Sequence, residues 1–288
     1  MAQSPAHKFG QKIGNLLEDI TYPALCEFCQ GRDLFVDKKG ERPGVRRGQL
    51  VKWQDKYGND HDLDFVIEKK GCARNSGRPI AFVEAAWRRY TKHSRNKAQE
   101  IQGALLPIFE RYWQEHPFLG AIIAGEFTKE SIKQLRSQNF NIVYIRYDDI
   151  VKAFGKHGIF INFGEQTPEK DYLEAVRAIE NLSEDEWNEI INKVYISAQT
   201  EFQDFFERLR KVLDRVIDRV AIIPLHGEEH EFGSPEEAKN FIDSYSETND
   251  QGTFRKYEVR VKYSNGDKIE AEFRDKERVK EFLEYSAI

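Results

Sequence analysis

Residues 61–100 read HDLDFVIEKKGCARNSGRPIAFVEAAWRRYTKHSRNKAQE. One acid, Asp64, precedes a short apolar run at 65–67, and a second acid, Glu84, ends the next apolar run at 80–83. Short runs rich in Val, Ile and Phe, bounded by glycine or polar residues, are typical of buried β-strands. The segment therefore predicts two strands with a carboxylate at an end of each, followed by a helix that Ser94 is placed to cap.

The rest of the first half predicts a mixed α/β sheet around these two strands. Upstream, apolar residues at helical spacing predict a helix over 8–20, a loop rich in Gly, Arg and Lys extends to about 48, and 50–53 reads as a strand. Downstream, the predicted elements are a helix from Ser94 to about Trp113, a strand over 119–124, a helix over 129–137 and a strand over 141–147. The order gives about five strands flanked by helices, and the sequence leaves their arrangement in the sheet open.

Two more helices are predicted after the sheet. One covers 168–181, and Ser183 with Glu186 has the spacing of a capping box that begins a second, which extends to about Arg219. A heptad seam of alternating steps of 4 and 3 follows this helix through Ile191, Tyr195, Ala198, Phe202, Phe205, Leu209, Val212 and Val216. The seam fits either an intramolecular helix packed on the core or a contact between two copies in a homodimer.

The end of the chain predicts a small α+β domain built from a repeat. The sequence PEEAKNFIDSY at 235–245 aligns with KERVKEFLEYS at 276–286, and each copy follows apparent strands, of which 254–263 and 268–273 are the clearest. Two β-β-α units without chemistry of their own are the prediction. The predicted domains are a core at 1–165, a helical segment at 166–218 and the small domain at 219–288.

Composition narrows the class of protein. Hydrophobic residues make up 40% and charged residues 32%, as in a globular domain, and no apolar run reaches the length that spans a bilayer. The odd number of cysteines, three, argues against a disulfide framework, so we expect a cytoplasmic protein without a membrane partner. Cys26 and Cys29 form a CxxC; a zinc site would need Cys72 and His61 to complete it, and unligated thiols are the alternative.

Positive charge is concentrated in two segments, although the net charge is −5. Residues 64–97 carry nine Lys and Arg against three acids, and residues 38–56 carry seven against two. An acidic protein with two basic segments beside one candidate site suits an enzyme that holds a polyanion locally. The predicted phosphate contacts on double-stranded DNA are Arg46, Arg47, Arg88, Arg89, Lys92 and Arg95; a solvated approach to the helix is the alternative for the last four.

The segment with Asp64 and Glu84 resembles the PD-(D/E)xK nuclease superfamily, which includes most type II restriction endonucleases. The likeness covers roughly residues 8–150 and consists of the two acids, the basic stretch and the strand-helix-strand that follows. It implies a restriction-endonuclease-like fold, an Mg²⁺ ion on Asp64 and Glu84 with Glu18 from the first helix as a further ligand, and phosphodiester hydrolysis. Two carboxylates at adjacent strand ends suit Mg²⁺, which prefers a few carboxylates and otherwise water or phosphate.

The superfamily pattern departs from this sequence at one position. A lysine is expected two residues after Glu84, and Ala86 stands there. Lys97, at the start of the next helix, and Lys92, in the loop before it, are the available substitutes, and Lys97 is favoured because a helix fixes it better. Without a substitute, the chain would be an inactive DNA-binding or defence-complex subunit.

Related functions remain open at this stage. A DNA repair nuclease of the same fold is an alternative to a restriction enzyme, and a restriction enzyme implies a cognate DNA methyltransferase acting on the same site. A homodimer is expected because two active sites cut two strands most simply. No phosphate-binding GK[ST] or dinucleotide-binding GxGxxG motif is present.

Overall fold

The computed structural model describes residues 4–91, 94–225, 228–248 and 254–287. The chain divides into two compact units: Met1–Arg111 with Pro117–Arg208, and Tyr112–His116 with Leu209–Ile288. No helix in the described ranges is long and apolar enough to cross a membrane. The finer domain boundaries expected from the sequence, at 165 and 218, stay predictions.

The first unit and the second share these elements. The strands are β1 (Leu34–Lys38), β2 (Val51–Gln54), β3 (Asp60–Leu63), β4 (Phe65–Lys69), β5 (Arg78–Arg88), β6 (Phe118–Gly125), β7 (Asn141–Arg146), β8 (Ile217–Pro224), β9 (His230–Phe232), β10 (Tyr257–Tyr263) and β11 (Lys268–Phe273). The helices are α1 (Pro5–Cys29), α2 (Ser94–Arg111), α3 (Lys129–Ser137), α4 (Tyr147–Gly155), α5 (Glu169–Glu180), α6 (Glu184–Ser197), α7 (Gln199–Leu213), α8 (Pro235–Ser244) and α9 (Lys276–Ser286).

The first unit contains a mixed five-stranded sheet flanked by helices, which confirms the predicted fold class at that level. The strand order is β1-β4-β5-β6-β7. β1, β4 and β5 pair antiparallel, whereas β5, β6 and β7 pair parallel. All eight residues of β6 are buried, as expected of an apolar strand covered on both faces.

Three strand predictions near the site were wrong in detail. The segment before residue 48 is not all loop, because β1 forms the sheet edge and pairs Val36 with Ile67. The predicted strand at 50–53 belongs to a separate two-stranded hairpin, β2-β3, rather than to the sheet. The run from Leu63 to Ile67 is divided between β3 and β4, since the chain leaves the hairpin and enters the sheet at Asp64.

The helix predictions need two corrections. α4 follows β7 without a loop and was not predicted, because YIRYDD continues the strand's apolar run directly into a helix. The single long helix to Arg219 was wrong: α6 ends at Ser197, and Ala198 has a non-helical φ of −112° and ψ of 19° before α7 begins. The capping box at Ser183 is present, with both of its hydrogen bonds.

The second unit has the two predicted β-β-α units, β8-β9-α8 and β10-β11-α9, in a sheet of order β11-β10-β8-β9. The two helices carry matching ion pairs. Lys239 of α8 lies 3.5 Å from Glu284 of α9, and Lys280 of α9 lies 2.9 Å from Asp243 of α8. Each partner lies 41 residues from its counterpart in the sequence, so the repeat is a pseudo-twofold pair in space.

Candidate functional site

Asp64 and Glu84 are brought together by the antiparallel pairing of β4 with β5. Phe65 pairs with Val83, so the next residues along, Asp64 and Glu84, are opposite each other across the two strands. Residues opposite each other in an antiparallel pair point to the same face. Glu84 was expected at the end of its strand, but it lies within β5, which continues to Arg88 because Ala85–Arg88 pair with β6.

Each carboxylate accepts a hydrogen bond from the backbone of the other strand. The Ala85 N–H donates to Asp64 Oδ2 at 2.7 Å, and the Asp64 N–H donates to Glu84 Oε1 at 3.4 Å. These reciprocal bonds fix two acidic side chains next to one another at the point where the hairpin joins the sheet.

The electrostatics of this pair are those of two acids confined together. Burial raises the pKa of the Glu84 carboxyl to about 8, and the charge of Asp64 raises it further, while Lys97 opposes the shift. Burial also raises the pKa of Asp64, against the Ala85 N–H and the Lys97 charge, which lower it. The pair therefore retains a proton near neutral pH when no cation is bound, and a cation would favour its release.

Lys97 is the predicted lysine that the structure brings to the pair. It lies in the first turn of α2, and its positive charge lowers the pKa of both Asp64 and Glu84. Its Nζ also lies 3.3 Å from Glu100 Oε2, the same oxygen that Arg88 Nη2 contacts at 3.1 Å. Glu100 thus holds both Lys97 and Arg88. The sequence analysis missed Glu100, although its i,i+3 spacing from Lys97 on a predicted helix was a usable signal.

The position that carries lysine in the superfamily offers no such group. Ala86 is 2% exposed and packs in the core of the first unit. Lys92, the other predicted substitute, lies outside the described residues, so its placement is not part of the site described.

Two further groups lie within electrostatic reach of Asp64. The pKa of Glu18 in α1 is raised, first by burial and then by the charge of Asp64, and Lys39 lowers it. Lys39 also lowers the pKa of Asp64. It follows the end of β1, and sequence reasoning missed it because that segment read as a loop.

The donor set was examined for a metal ion. Among the described residues, no group of three or more His, Cys, Asp or Glu side chains is arranged to hold one. Asp64 and Glu84 nevertheless fit Mg²⁺, because this ion takes one or two carboxylates from a protein and keeps water or phosphate in the rest of its shell. The expected zinc alternative is less suited: its cysteines are free thiols, and His61 Nε2 lies 3.1 Å from Asp55 Oδ2.

The two loop arginines predicted to contact DNA have different surroundings. Arg46 Nη1 donates to Asp37 Oδ2 at 2.6 Å, and its other nitrogens donate to the carbonyls of Lys38 and Gly40. These bonds occupy most of its guanidinium, so Arg46 mainly holds the loop. Arg47 is exposed and is the better placed of the two to meet a ligand.

The arginines after Glu84 also differ. Arg88 is bound to Glu100, and Arg95 is exposed in the first turn of α2. The guanidinium of Arg89 lies over the rings of Tyr90 and Tyr172, at 4.0 and 4.6 Å from their centroids, and burial lowers its pKa. Arg95 is therefore the member of this set most available to a phosphate.

Comparison with known proteins adds little to this site. No family model matches the chain, and no curated protein matches its sequence. A crystal structure of a protein of unknown function, AF1548, superposes with a TM-score of 0.30 and 9% sequence identity, covering 69% of this chain and 98% of that one. A likeness this weak assigns neither a fold nor a function.

Proposed function

We propose that this protein is an Mg²⁺-dependent endonuclease that hydrolyses phosphodiester bonds of double-stranded DNA, of the type II restriction kind. The observation that carries the proposal is the pair Asp64 and Glu84, fixed by reciprocal backbone hydrogen bonds with Lys97 facing both. The basic segments around the pair supply counter-charge for a polyanion. The cognate DNA methyltransferase and the homodimer belong to this proposal.

In this proposal, Asp64 and Glu84 would hold the ion, with Glu18 near Asp64. When bound, Mg²⁺ lowers the pKa of water and neutralises charge on a phosphate. Asp64 stays oriented by the Ala85 N–H, and Glu84 gives up the proton that burial otherwise keeps on it. Lys97 Nζ, positioned by Glu100, stands beside the pair, where it can contact a phosphate oxygen or take a proton from water.

Plasmid cleavage in Mg²⁺ tests the proposal. Asp64→Asn and Glu84→Gln should each reduce cleavage by at least about a hundredfold, because each removes a carboxylate ligand. DNA binding, measured by fluorescence anisotropy without Mg²⁺, should persist because negative charge is lost. Asp62→Asn is the matched control, since it makes the same change on an exposed side chain of β3 and should cleave at the wild-type rate. Wild-type cleavage by either site variant would refute the assignment.

Lys97→Met separates an active enzyme from the inactive alternative that Ala86 suggests. A large loss of rate with unchanged DNA binding assigns Lys97 the role that the superfamily gives to lysine, with Lys133→Met on α3 as control. Discrete plasmid fragments would mark a restriction enzyme, and a smear would mark a repair-type or non-specific nuclease. Wild-type protein that binds DNA but leaves it intact in Mg²⁺ would support a DNA-binding or defence-complex subunit instead.

A further inference from the structure

A cavity of about 470 Å³ opens beside the candidate site, between the loop before β2 and β2 itself. Its lining includes Arg47, Gly48, Gln49, Leu50, Lys52 and Trp53. This size lies within the range of cavities that hold small ligands. The proposed function leaves the cavity unused.

The buried charges that line the cavity cancel one another. Arg42 Nη1 donates to Asp37 Oδ2 at 2.8 Å and to Glu68 Oε1 at 2.6 Å, and Arg46 donates to the same Asp37 oxygen. Two buried acids are thus matched by two arginines. The cavity wall therefore has its charge set by other residues.

Positive charge remains at the mouth. Arg47 is exposed, and Lys52, about half exposed, lies 4.0 Å from Asp60, a separation at which a surface pair is weak. Both side chains line the cavity. A ligand that carries a phosphate would gain charge-assisted contacts from them.

The remaining wall is apolar and partly rigid. The Trp53 ring packs edge-on against Phe82, with centroids 5.7 Å apart and planes at 73°. Leu50 is 42% exposed beside it. A fixed aromatic ring with an aliphatic neighbour suits a planar base, and the exposed Gln49 could hydrogen-bond its edge.

The cavity is coupled to the carboxylate pair through the β2-β3 hairpin. Lys52 pairs with Asp62 across the hairpin, and Asp64 follows β3 directly. One end of the cavity lining is thus within two residues of the candidate catalytic acid along the sheet. A DNA strand at Asp64 and Glu84 would pass beside this mouth.

We propose that this cavity binds one nucleotide, with its base against Trp53 and Leu50 and its phosphate against Arg47 and Lys52. The proposal rests on the proposed function only for the source of that nucleotide, which would be a base turned out of the DNA strand held at the active site. A free mononucleotide has the same chemistry, and the test separates the two.

Calorimetry with dAMP, dGMP, dCMP and dTMP, in the presence of EDTA, tests the cavity without any cleavage. At least one nucleotide should bind, and Arg47→Gln with Lys52→Gln should weaken it by about tenfold or more because two cationic contacts are lost. Lys133→Gln with Arg136→Gln on α3 removes the same charge from exposed positions and should bind as wild type.

Filling the cavity gives a second variant that keeps every charge. A Cβ at Gly48 would meet no atom within 4 Å, and its φ is not in the left-handed region, so Gly48→Leu should fold normally. It should weaken binding as the double variant does. Gly155→Leu, equally open at the end of α4, is its control.

Duplexes that contain 2-aminopurine identify the source. A rise in its fluorescence on binding wild-type protein, absent with Gly48→Leu, would assign the cavity to a nucleotide of the strand. Binding of a mononucleotide without that rise would assign it to free nucleotides. Neither signal, or wild-type binding by the double variant and by Gly48→Leu, overturns the proposal. Nucleotide binding without DNA cleavage would leave the cavity standing and remove the proposed nuclease function.

Discussion

At the scale of single residues, the site depends on two acids whose charges oppose one another. Asp64 and Glu84 are held by backbone donors on neighbouring strands, so neither can move away to relieve the repulsion. Lys97 offsets part of it, and Glu100 restrains Lys97. Such a pair costs stability in the absence of a cation, which is typical of sites built to bind one.

The raised pKa of Glu84 predicts how stability changes with pH. Its folded pKa, about 8, lies above the model value of 4.5, so the folded state binds more protons between those values. Stability contributed by the protonated group is therefore full below about pH 4.5 and is lost as pH rises through 8. Glu84→Gln should remove this loss and be more stable than wild type at pH 8.5 by about 1–3 kcal/mol.

Urea denaturation in EDTA from pH 4 to pH 9 measures this difference, and the difference between the two proteins isolates Glu84. Glu174→Gln, an exposed acid on α5, should track the wild type at each pH. Mg²⁺ should restore wild-type stability at pH 8.5 but not that of the variant. A gap between wild type and Glu84→Gln that is independent of pH would contradict the expected titration.

At the scale of elements, the packing of α7 on the sheet decides how the heptad seam is used. Phe202 and Phe205 are each 1% exposed, and Phe205 packs on Phe118 with ring centroids 5.0 Å apart. A Cβ at Gly120 of β6 would meet Phe205 Cζ at 2.8 Å, so the glycine makes room for the ring. The middle of the seam is therefore buried within the chain, as the intramolecular alternative predicted, and is not available to a second copy.

Phe205→Asp should consequently unfold the first unit rather than yield a folded monomer. Replacing a buried Phe costs about 3–5 kcal/mol, and an unpaired buried charge adds to that loss. Phe160→Asp is the control, because Phe160 is 83% exposed and should tolerate a charge. Circular dichroism melting together with sedimentation velocity would distinguish the outcomes. A well-folded Phe205→Asp variant of lower mass than the wild type would contradict this packing.

At the scale of the whole molecule, the second unit is completed by a distant segment of chain. Tyr112–His116, which lies between α2 and β6 in sequence, belongs to it. Arg215 donates to Asp267 at 2.8 Å and to the carbonyls of Glu115 and His116. The pKa of Asp267 is held well below its usual range by hydrogen bonds from His116 and Asn265 and by the Arg215 charge, against the opposing effect of burial.

Arg215→Met should lower the stability of the second unit by about 2–4 kcal/mol, because it leaves a half-buried carboxylate and two carbonyls without their donor. Arg219→Met is the matched control: Arg219 pairs with Glu231 at 2.8 Å, but both are more than half exposed, so the change should cost less than about 1 kcal/mol. Guanidinium denaturation at pH 7 compares them. Equal losses in the two variants would show that burial does not set the strength of the Arg215 cluster.

Some features follow from the sequence because their causes are local. The mixed sheet flanked by helices, the capping box at Ser183 and the β-β-α repeat follow from periodicity and cap residues, which act over a few positions. The choice of Asp64 and Glu84 rested on the same kind of pattern, and the structure brings the two acids together. Which chemistry they perform stays a proposal at both levels.

Other features were decided by contacts between residues far apart in sequence. β1 forms a strand because it gains a partner in β4, although its own residues read as a loop. Arg46 is a binding candidate by charge alone, yet Asp37 and two carbonyls take up its donors. Lys39, Glu100 and the cavity beside Trp53 come from the same cause. Strand pairing, ion-pair choice and cavities depend on what the folded chain brings near, and no local pattern encodes that.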